Sequence, residues 1–259
     1  MLIAVASAKG APGVTATARV LASVWPQDVV LADCDPAGGD IALVGRGPGG
    51  TILDPDRGLL SLAAGARRGL AAGAFPDHLQ VLDGGLRVLV GATNPDQATG
   101  IGPAWPAVAQ VLAAQGRTDV IVDCGRVTPG TIVSPVLATA HAVVLVARPR
   151  LESYAHLRER VRWLVTMHNG SRPGPAVGVV LVTDAHDTKG PRELGQLLAH
   201  EGLNVPVLGR LADDKRAADT LAGRMDRSIG RSLLVRSARV LVDPIRRLAA
   251  DRELAQLRF

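Results

Sequence analysis

The sequence predicts an α/β fold with three layers, in which helices cover both faces of a doubly wound, mostly parallel sheet. Short apolar runs alternate along the chain with segments of helical period. These runs are apolar at every position, which is typical of parallel strands that are covered on both faces. At 259 residues and 47% hydrophobic composition the chain suits one large domain, and we assign residues 1–259 to it.

Composition excludes several classes of function. Aromatic residues make up only 2% of the chain, too few for the base-stacking surfaces of single-strand binders. The two cysteines, Cys34 and Cys124, lie in apolar runs, which predicts buried free thiols in a reducing compartment. The sequence has no charged leader followed by an apolar segment, and no apolar stretch of about 18 residues. We therefore expect a cytoplasmic protein.

The net charge of +5 is compatible with contact to DNA or to an anionic membrane. The excess is small, however, and the arginines are scattered among acidic residues, as on an ordinary solvated surface. We expect weak, non-specific DNA binding at most. The chain has only three lysines, Lys9, Lys189 and Lys215, so a lysine within a glycine-containing loop is informative.

That loop follows the first apolar run, Leu2–Ala6, and contains Gly10, Pro12 and Gly13. A helix is predicted from Thr15 onward. A strand, a glycine loop and a helix in direct succession present backbone N–H groups and the positive end of the helix dipole to a phosphate. The alternative is a tight turn from strand to helix that binds no ligand.

The loop departs from the general phosphate-binding pattern G-x-x-x-x-G-K-[ST], because Ala8 replaces the first glycine and Val14 replaces the lysine. It fits better the variant K-G-G-x-G-K-[ST], which here runs from Lys9 to Thr15. In that register the loop resembles the one found in P-loop ATPases of the ParA/MinD family. The resemblance keeps the opening lysine of that family and lacks the ordinary one.

The resemblance implies the P-loop NTPase fold of the ParA/MinD type, with ATP and Mg²⁺ as cofactors. It also implies a homodimer in which Lys9 reaches the phosphates of the partner, and at most a slow ATPase because Val14 carries no charge. The nucleotide-binding residues would be Lys9, Gly10, Ala11, Pro12, Gly13, Val14, Thr15 and Ala16.

Acidic residues follow two further strand-like runs. The run Val29–Ala32 leads into Asp33-Cys34-Asp35-Pro36, and a second run leads to Asp123. Open parallel sheets bind ligands at the carboxyl ends of their strands, where carboxylates can organise Mg²⁺. The alternative at the first position is an ordinary Asp-Pro turn.

Both acidic segments resemble signatures of the same family. The resemblance implies that Asp35 positions the attacking water, so that the catalytic residues would be Lys9 and Asp35. It also implies a metal site formed by Thr15, Asp35 and Asp123. Relatives carry an adenine-reading asparagine where this chain has Thr183 and Asp184, which makes these two residues candidates for contacts to the base.

The remaining chain continues the alternation, and residues 44–58 form a predicted loop. A turn is expected at Asn94–Asp96. The other predicted elements are the helices Leu59–Leu70, Pro103–Gln115, Ser153–His168 and Arg192–His200, and the strands Leu86–Gly91, Ala142–Ala147, Val177–Thr183 and Val205–Leu208.

Residues 231–259 form a predicted C-terminal basic amphipathic helix, kinked at Pro244. Such a helix can lie on a membrane, as in MinD-like relatives. Its polar face also carries Asp243, Asp251 and Glu253, so we favour packing on the sheet with the arginines outward.

The ParA/MinD family divides by task, and the segment LDGGLRVLVGATNPDQ together with the altered loop resembles the TadZ/CpaE-like branch. The resemblance implies a positioning factor that dimerises on ATP and localises a pilus or secretion machine through a polar protein partner. A non-catalytic pseudo-ATPase scaffold is the first alternative. A chromosome or plasmid partitioning ATPase that binds DNA non-specifically is the second.

Overall fold

The computed structural model describes residues 1–10, 12–69, 73–169, 172–223 and 229–256. Three parts of the sequence predictions lie outside these residues. They are Ala11 in the glycine loop, the end of the helix predicted to reach Leu70, and residues 257–259 of the C-terminal helix.

The described residues contain one large sheet and a small hairpin. The strands are β1 Leu2–Ser7, β2 Val29–Asp33, β3 Gln80–Val81, β4 Arg87–Leu89, β5 Asp119–Arg126, β6 Ala142–Ala147, β7 His168–Asn169, β8 Arg172–Pro173, β9 Ala176–Thr183 and β10 Val207–Ala212. The large sheet has the order β10-β9-β6-β1-β5-β2-β4-β3, and β7 and β8 form the hairpin. All neighbours in the large sheet are parallel except β3 and β4. The predicted doubly wound, mostly parallel sheet is confirmed.

Helices connect these strands. They are α1 Val14–Val24, α2 Ile41–Val44, α3 Leu59–Arg67, α4 Pro95–Ile101, α5 Trp105–Ala113, α6 Ser134–Thr139, α7 Leu151–Val165, α8 Gly190–His200, α9 Lys215–Leu221 and α10 Leu233–Gln256. Short 3-10 turns occur at Pro48–Gly50, Phe75–His78 and Gly102–Ala104.

The first strand shows why the sheet is covered on both faces. Leu2, Ala4 and Ala6 belong to one buried apolar cluster, whereas Ile3 and Val5 belong to another. Successive side chains of a strand point to opposite faces, so an unbroken apolar run requires a helical layer on each side. Helices α3, α5, α7 and α8 contribute to the first cluster, and helices α1 and α10 contribute to the second.

The turn predicted at Asn94–Asp96 is wrong, because this segment begins helix α4. The Asn94 side chain accepts a hydrogen bond of 2.9 Å from the backbone N–H of Gln97, and Pro95 occupies the first helical position. Asparagine caps and first-turn prolines start helices as readily as they form turns. Helix α9, which begins at Lys215 beside the glycine loop, was also not predicted from the sequence.

Helix α10 packs on the sheet through its apolar face, as favoured from sequence. Leu234, Ala238, Leu241 and Ile245 are at most 3% exposed and join the cluster beneath α1. The helix continues through Pro244 to Gln256. Among the described residues, no helix is both long and apolar enough to span a membrane.

Candidate functional site

The glycine loop joins β1 to α1 at the carboxyl edge of the sheet. Gly13 has a left-handed backbone (φ 98°), and α1 begins directly after it at Val14. The Gly13 carbonyl accepts hydrogen bonds from the N–H (2.8 Å) and the hydroxyl (2.7 Å) of Thr17. Among the described residues, no side chain caps the start of α1. The first N–H groups of the helix are therefore available to an external anion.

Val14 and Thr15, the first two residues of α1, have different environments. Val14 is 7% exposed and belongs to the apolar cluster beneath α1, so the position of the ordinary lysine adds no positive charge. Thr15 is half-buried. Its hydroxyl lies near the Asp123 carboxylate and favours the charged form of that group, which lowers the pKa of Asp123.

Asp123 lies on β5, beside the loop. Its Oδ1 accepts a hydrogen bond of 2.9 Å from the backbone N–H of Gly125. Its Oδ2 is buried and accepts no hydrogen bond from the described residues. Thr15 affects the pKa of Asp123, but its hydroxyl does not form a hydrogen bond of normal geometry with this oxygen. Burial raises the pKa of Asp123 to about 6. A buried carboxylate oxygen without a donor is suited to receive a metal-bound water.

Asp35 lies against the same part of β5. A Cβ at Gly125 would come within 2.2 Å of the Asp35 carboxyl, so only a glycine allows this approach. The Asp35 Oδ1 accepts a hydrogen bond of 2.8 Å from the N–H of Ala37, which is the Asp-Pro turn considered from sequence. Burial raises the pKa of Asp35. The turn and a functional role for the carboxyl are therefore compatible.

Thr15 and Asp35 both lie near Asp123, and their joint role in holding a metal stays a prediction. The described residues contain no group of three His, Cys, Asp or Glu side chains placed to hold a metal by themselves. One hydroxyl and two carboxylates fit Mg²⁺, which keeps several water ligands and usually completes its shell with phosphate oxygens.

Asp33 is an additional carboxylate that the sequence analysis did not single out. It is fully buried, and its Oδ2 accepts a hydrogen bond of 3.3 Å from the N–H of Ile41. Burial raises the pKa of Asp33 well above its ordinary value, and the nearby charge of Asp123 raises it further. The sequence feature that could have identified Asp33 is its position as the last residue of a continuous apolar strand.

An open cavity of about 430 Å³ adjoins the outer part of the loop and has a basic lining. Two of the three lysines of the chain line it, which the sequence did not predict. Its charged residues are Lys9, Arg148, Arg150, Lys215, Glu152 and Asp213. Four cations against two carboxylates make this cavity suited to an anion.

A smaller cavity of about 50 Å³ lies beside the start of α1 and is lined by Gly13, Ala16 and Thr17. The predicted base-reading residues, Thr183 and Asp184, line neither cavity. The Thr183 hydroxyl donates to Asp187 (2.9 Å), and the exposed Asp184 accepts from the N–H of His186 (2.7 Å). Both residues thus have local partners, and their contact with a base stays a prediction.

No protein-family model matches this sequence, and no curated protein matches it either. Solved structures do match its architecture. A ParA family ATPase from Chlorobium tepidum TLS has a TM-score of 0.72 at 17% identity, covering 94% of this chain and 96% of that one. The Pyrococcus furiosus cell division ATPase MinD has a TM-score of 0.71 at 20% identity, covering 95% and 98%.

A third match is the septum site-determining protein MinD from Pyrococcus horikoshii OT3, solved as a complex with Mg-ADP. It has a TM-score of 0.71 at 16% identity and covers 97% of this chain and 98% of that one. These similarities extend over nearly the whole length of each protein. The chain therefore has the three-layer fold of the ParA and MinD ATPases.

Proposed function

We propose that this protein is a nucleotide-dependent positioning factor that binds ATP and Mg²⁺ at the glycine loop. The observation that carries the proposal is the uncapped start of α1 next to Thr15 and the unsatisfied Oδ2 of Asp123. A helix start favours a phosphate, and the nearby hydroxyl and carboxylates favour a divalent cation. The match to MinD and ParA structures is consistent with this proposal.

In this proposal the backbone from Gly10 to Ala16 holds the phosphates, and Thr15, Asp35 and Asp123 hold the hydrated magnesium ion. Magnesium would neutralise part of the phosphate charge when bound. Asp35, which is half-buried beside Gly125, would orient the attacking water.

Hydrolysis is slow or absent in this proposal. Catalysis of phosphoryl transfer depends largely on positive groups placed around the transferred phosphate. Val14 lies in an apolar cluster and provides no such group. This observation also favours the second candidate, a nucleotide-binding scaffold that does not hydrolyse ATP.

We further propose that the protein acts as a homodimer in which Lys9 contacts the nucleotide of the partner. Lys9 is exposed at the open basic cavity, where a second copy can approach. The proposed cargo, a pilus or secretion machine at a cell pole, rests on the sequence resemblance to the TadZ/CpaE-like branch. In the source organism, a fluorescent fusion should form polar foci, and deletion of the gene should displace that machine.

A titration of the purified protein with fluorescent ATP and GTP analogues, with and without Mg²⁺, tests the proposed nucleotide site. We expect saturable binding that Mg²⁺ strengthens and that Asp123→Ala weakens. Asp243→Ala, on the exposed side of α10, is the matched control and should bind like the unaltered protein. Absence of binding at millimolar ATP with Mg²⁺ would disprove the proposal.

A further inference from the structure

The open basic cavity contains an arginine placed to act on the same phosphates as the glycine loop. We propose that Arg148 supplies the positive charge that Val14 lacks, by leaving its ion pair with Asp213 to bind the terminal phosphate of a nucleoside triphosphate. This inference rests on the proposed function and names a further binding residue of that site.

The topology places Arg148 beside the loop. Strand β6 is a direct neighbour of β1, and Val146 pairs in register with Ser7 at the end of β1. Arg148 follows β6 immediately, so it leaves the sheet at the edge where the glycine loop begins. Residues that directly follow two neighbouring parallel strands lie at the same edge of the sheet, the one formed by the carboxyl ends of the strands.

Arg148 and Asp213 line both the larger and the smaller cavity, so their ion pair lies between the two. The smaller cavity is lined by the first turn of α1, and the larger one by Lys9 and Gly10. A chain of phosphates that extends from the smaller cavity toward Lys9 would pass this pair.

The ion pair has the geometry that an arginine also uses for phosphate. Nη1 of Arg148 lies 2.6 Å from Oδ2 of Asp213, and Nη2 of Arg148 lies 3.1 Å from Oδ1 of Asp213. A phosphate presents two oxygens to the same planar fork. Both side chains are more than a quarter exposed, and ion pairs with this much solvent contact are weak. A dianionic phosphate can therefore displace the carboxylate.

Asp213 would keep a favourable environment after such an exchange. Its pKa is lowered by the hydrogen bond from Arg148, and further by the nearby charges of Lys215 and Arg150. Both of these cations line the same cavity. The released carboxylate would thus remain beside two positive groups, so the exchange does not leave an isolated charge.

A double-mutant cycle measures this exchange. The dissociation constants of ATP and ADP are determined with Mg²⁺ for the unaltered protein, Arg148→Gln, Asp213→Asn and the double variant. Glu152→Gln, alone and combined with Arg148→Gln, is the matched control, because Glu152 lines the same cavity and loses the same charge. Thermal melting verifies that every variant is folded.

We expect Arg148→Gln to weaken ATP binding by roughly tenfold or more, as for the loss of a charged hydrogen bond, and ADP binding by less. Asp213→Asn should strengthen ATP binding about threefold or more, and Glu152→Gln by less. In the Arg148→Gln background, the effect of Asp213→Asn should fall to that of Glu152→Gln, because interacting residues are non-additive. Arg148→Lys should be intermediate.

Unchanged ATP binding in folded Arg148→Gln would overturn the inference and leave the proposed nucleotide site intact. Equal effects of Asp213→Asn and Glu152→Gln in both backgrounds would also overturn it, since only net charge would then matter. If the unaltered protein binds no nucleotide, the proposed function fails, and inorganic tripolyphosphate replaces ATP in the same cycle. Tripolyphosphate binding that depends on Arg148 would still support the anion site, and its absence would overturn it.

Discussion

Asp33 and Asp123 lie directly opposite each other in the register of the neighbouring parallel strands β2 and β5, and both are almost completely buried. Two carboxyl groups in this arrangement cannot both ionise without cost, because each is removed from water and exposed to the charge of the other. The pKa of each group is raised, mainly by burial. The carboxyl edge of the sheet therefore stores unfavourable free energy that a bound cation would relieve.

We predict that Asp123→Asn makes the protein more stable at neutral pH. The folded pKa of about 6 exceeds the ordinary value of 3.8, so the folded state binds more protons between these values. The protonated Asp123 therefore contributes to the free energy of unfolding below pH 4, and this contribution is lost as the pH rises through 6. Replacing Asp123 should thus raise the free energy of unfolding at pH 7 by about 2–3 kcal/mol.

Urea unfolding of both proteins between pH 4 and pH 8 checks this prediction. The gain should shrink to a small fraction toward pH 4, where the folded Asp123 is protonated and carries no charge. Asp243→Asn changes an exposed carboxylate and should shift stability by less than about 0.5 kcal/mol. A destabilised Asp123→Asn at pH 7 would contradict the pKa assignment.

Gly39→Ala should destabilise the fold, because an added Cβ would lie 2.2 Å from Oδ2 of the buried Asp33 carboxyl. That carboxyl is fully buried and accepts hydrogen bonds from the N–H groups of Asp35 and Ile41, so we expect a loss of about 1–3 kcal/mol, as for other overpacked sites. Gly100→Ala in helix α4 is the control, since a Cβ there meets nothing within 4 Å. It should be neutral or stabilising by about 0.5–1 kcal/mol in chemical denaturation. Equal effects at the two sites would refute this packing argument.

The turnover of ATP should depend on Lys9 and on dimerisation. If Lys9 acts across a dimer, the specific activity should rise with protein concentration in parallel with the dimer fraction from sedimentation. Lys9→Ala should lose at least about 90% of that activity, comparable to the loss of one stabilising donor. Lys189 lines neither of the two cavities beside the loop, so Lys189→Ala should retain the activity. Hydrolysis by monomeric Lys9→Ala at the rate of the unaltered protein would contradict the proposed role of Lys9.

Restoring the ordinary lysine should lower the stability of the protein and raise its rate of ATP hydrolysis. Val14→Lys removes an apolar side chain from the cluster beneath α1, so the free energy of unfolding should fall by about 1–3 kcal/mol. The new ammonium can extend from the first turn of α1 toward the phosphates. We expect at least roughly tenfold faster hydrolysis, and recovery of ATP binding in combination with Arg148→Gln.

The control for this variant is Val14→Met, which is of similar length and uncharged and should not raise turnover. The rate of phosphate release and thermal melting, measured on the same samples, separate catalysis from folding. Unchanged turnover in a Val14→Lys protein that still binds ATP would favour the scaffold function, because the catalytic geometry would then be lost at more than one residue.

The sequence by itself determined the fold class and the order of the main elements. Unbroken apolar runs such as Ala142–Ala147 can be satisfied only between two helical layers, so their alternation with helices specifies the sheet. The loop at Gly10 and Gly13, and the carboxylates Asp35 and Asp123 after or near strand ends, were likewise predicted from local patterns. Local patterns are reliable here because they depend on residues that are close in sequence.

The tertiary structure alone decided which distant residues share the site. Arg148 and Asp213 are 65 positions apart, yet they follow strands β6 and β10 and pair with each other beside the loop. The structure also decided that Asp33 faces Asp123, which requires the register of β2 against β5. Ion pairs and buried charge depend on strand order and register, and these follow from packing of the whole chain rather than from any short segment.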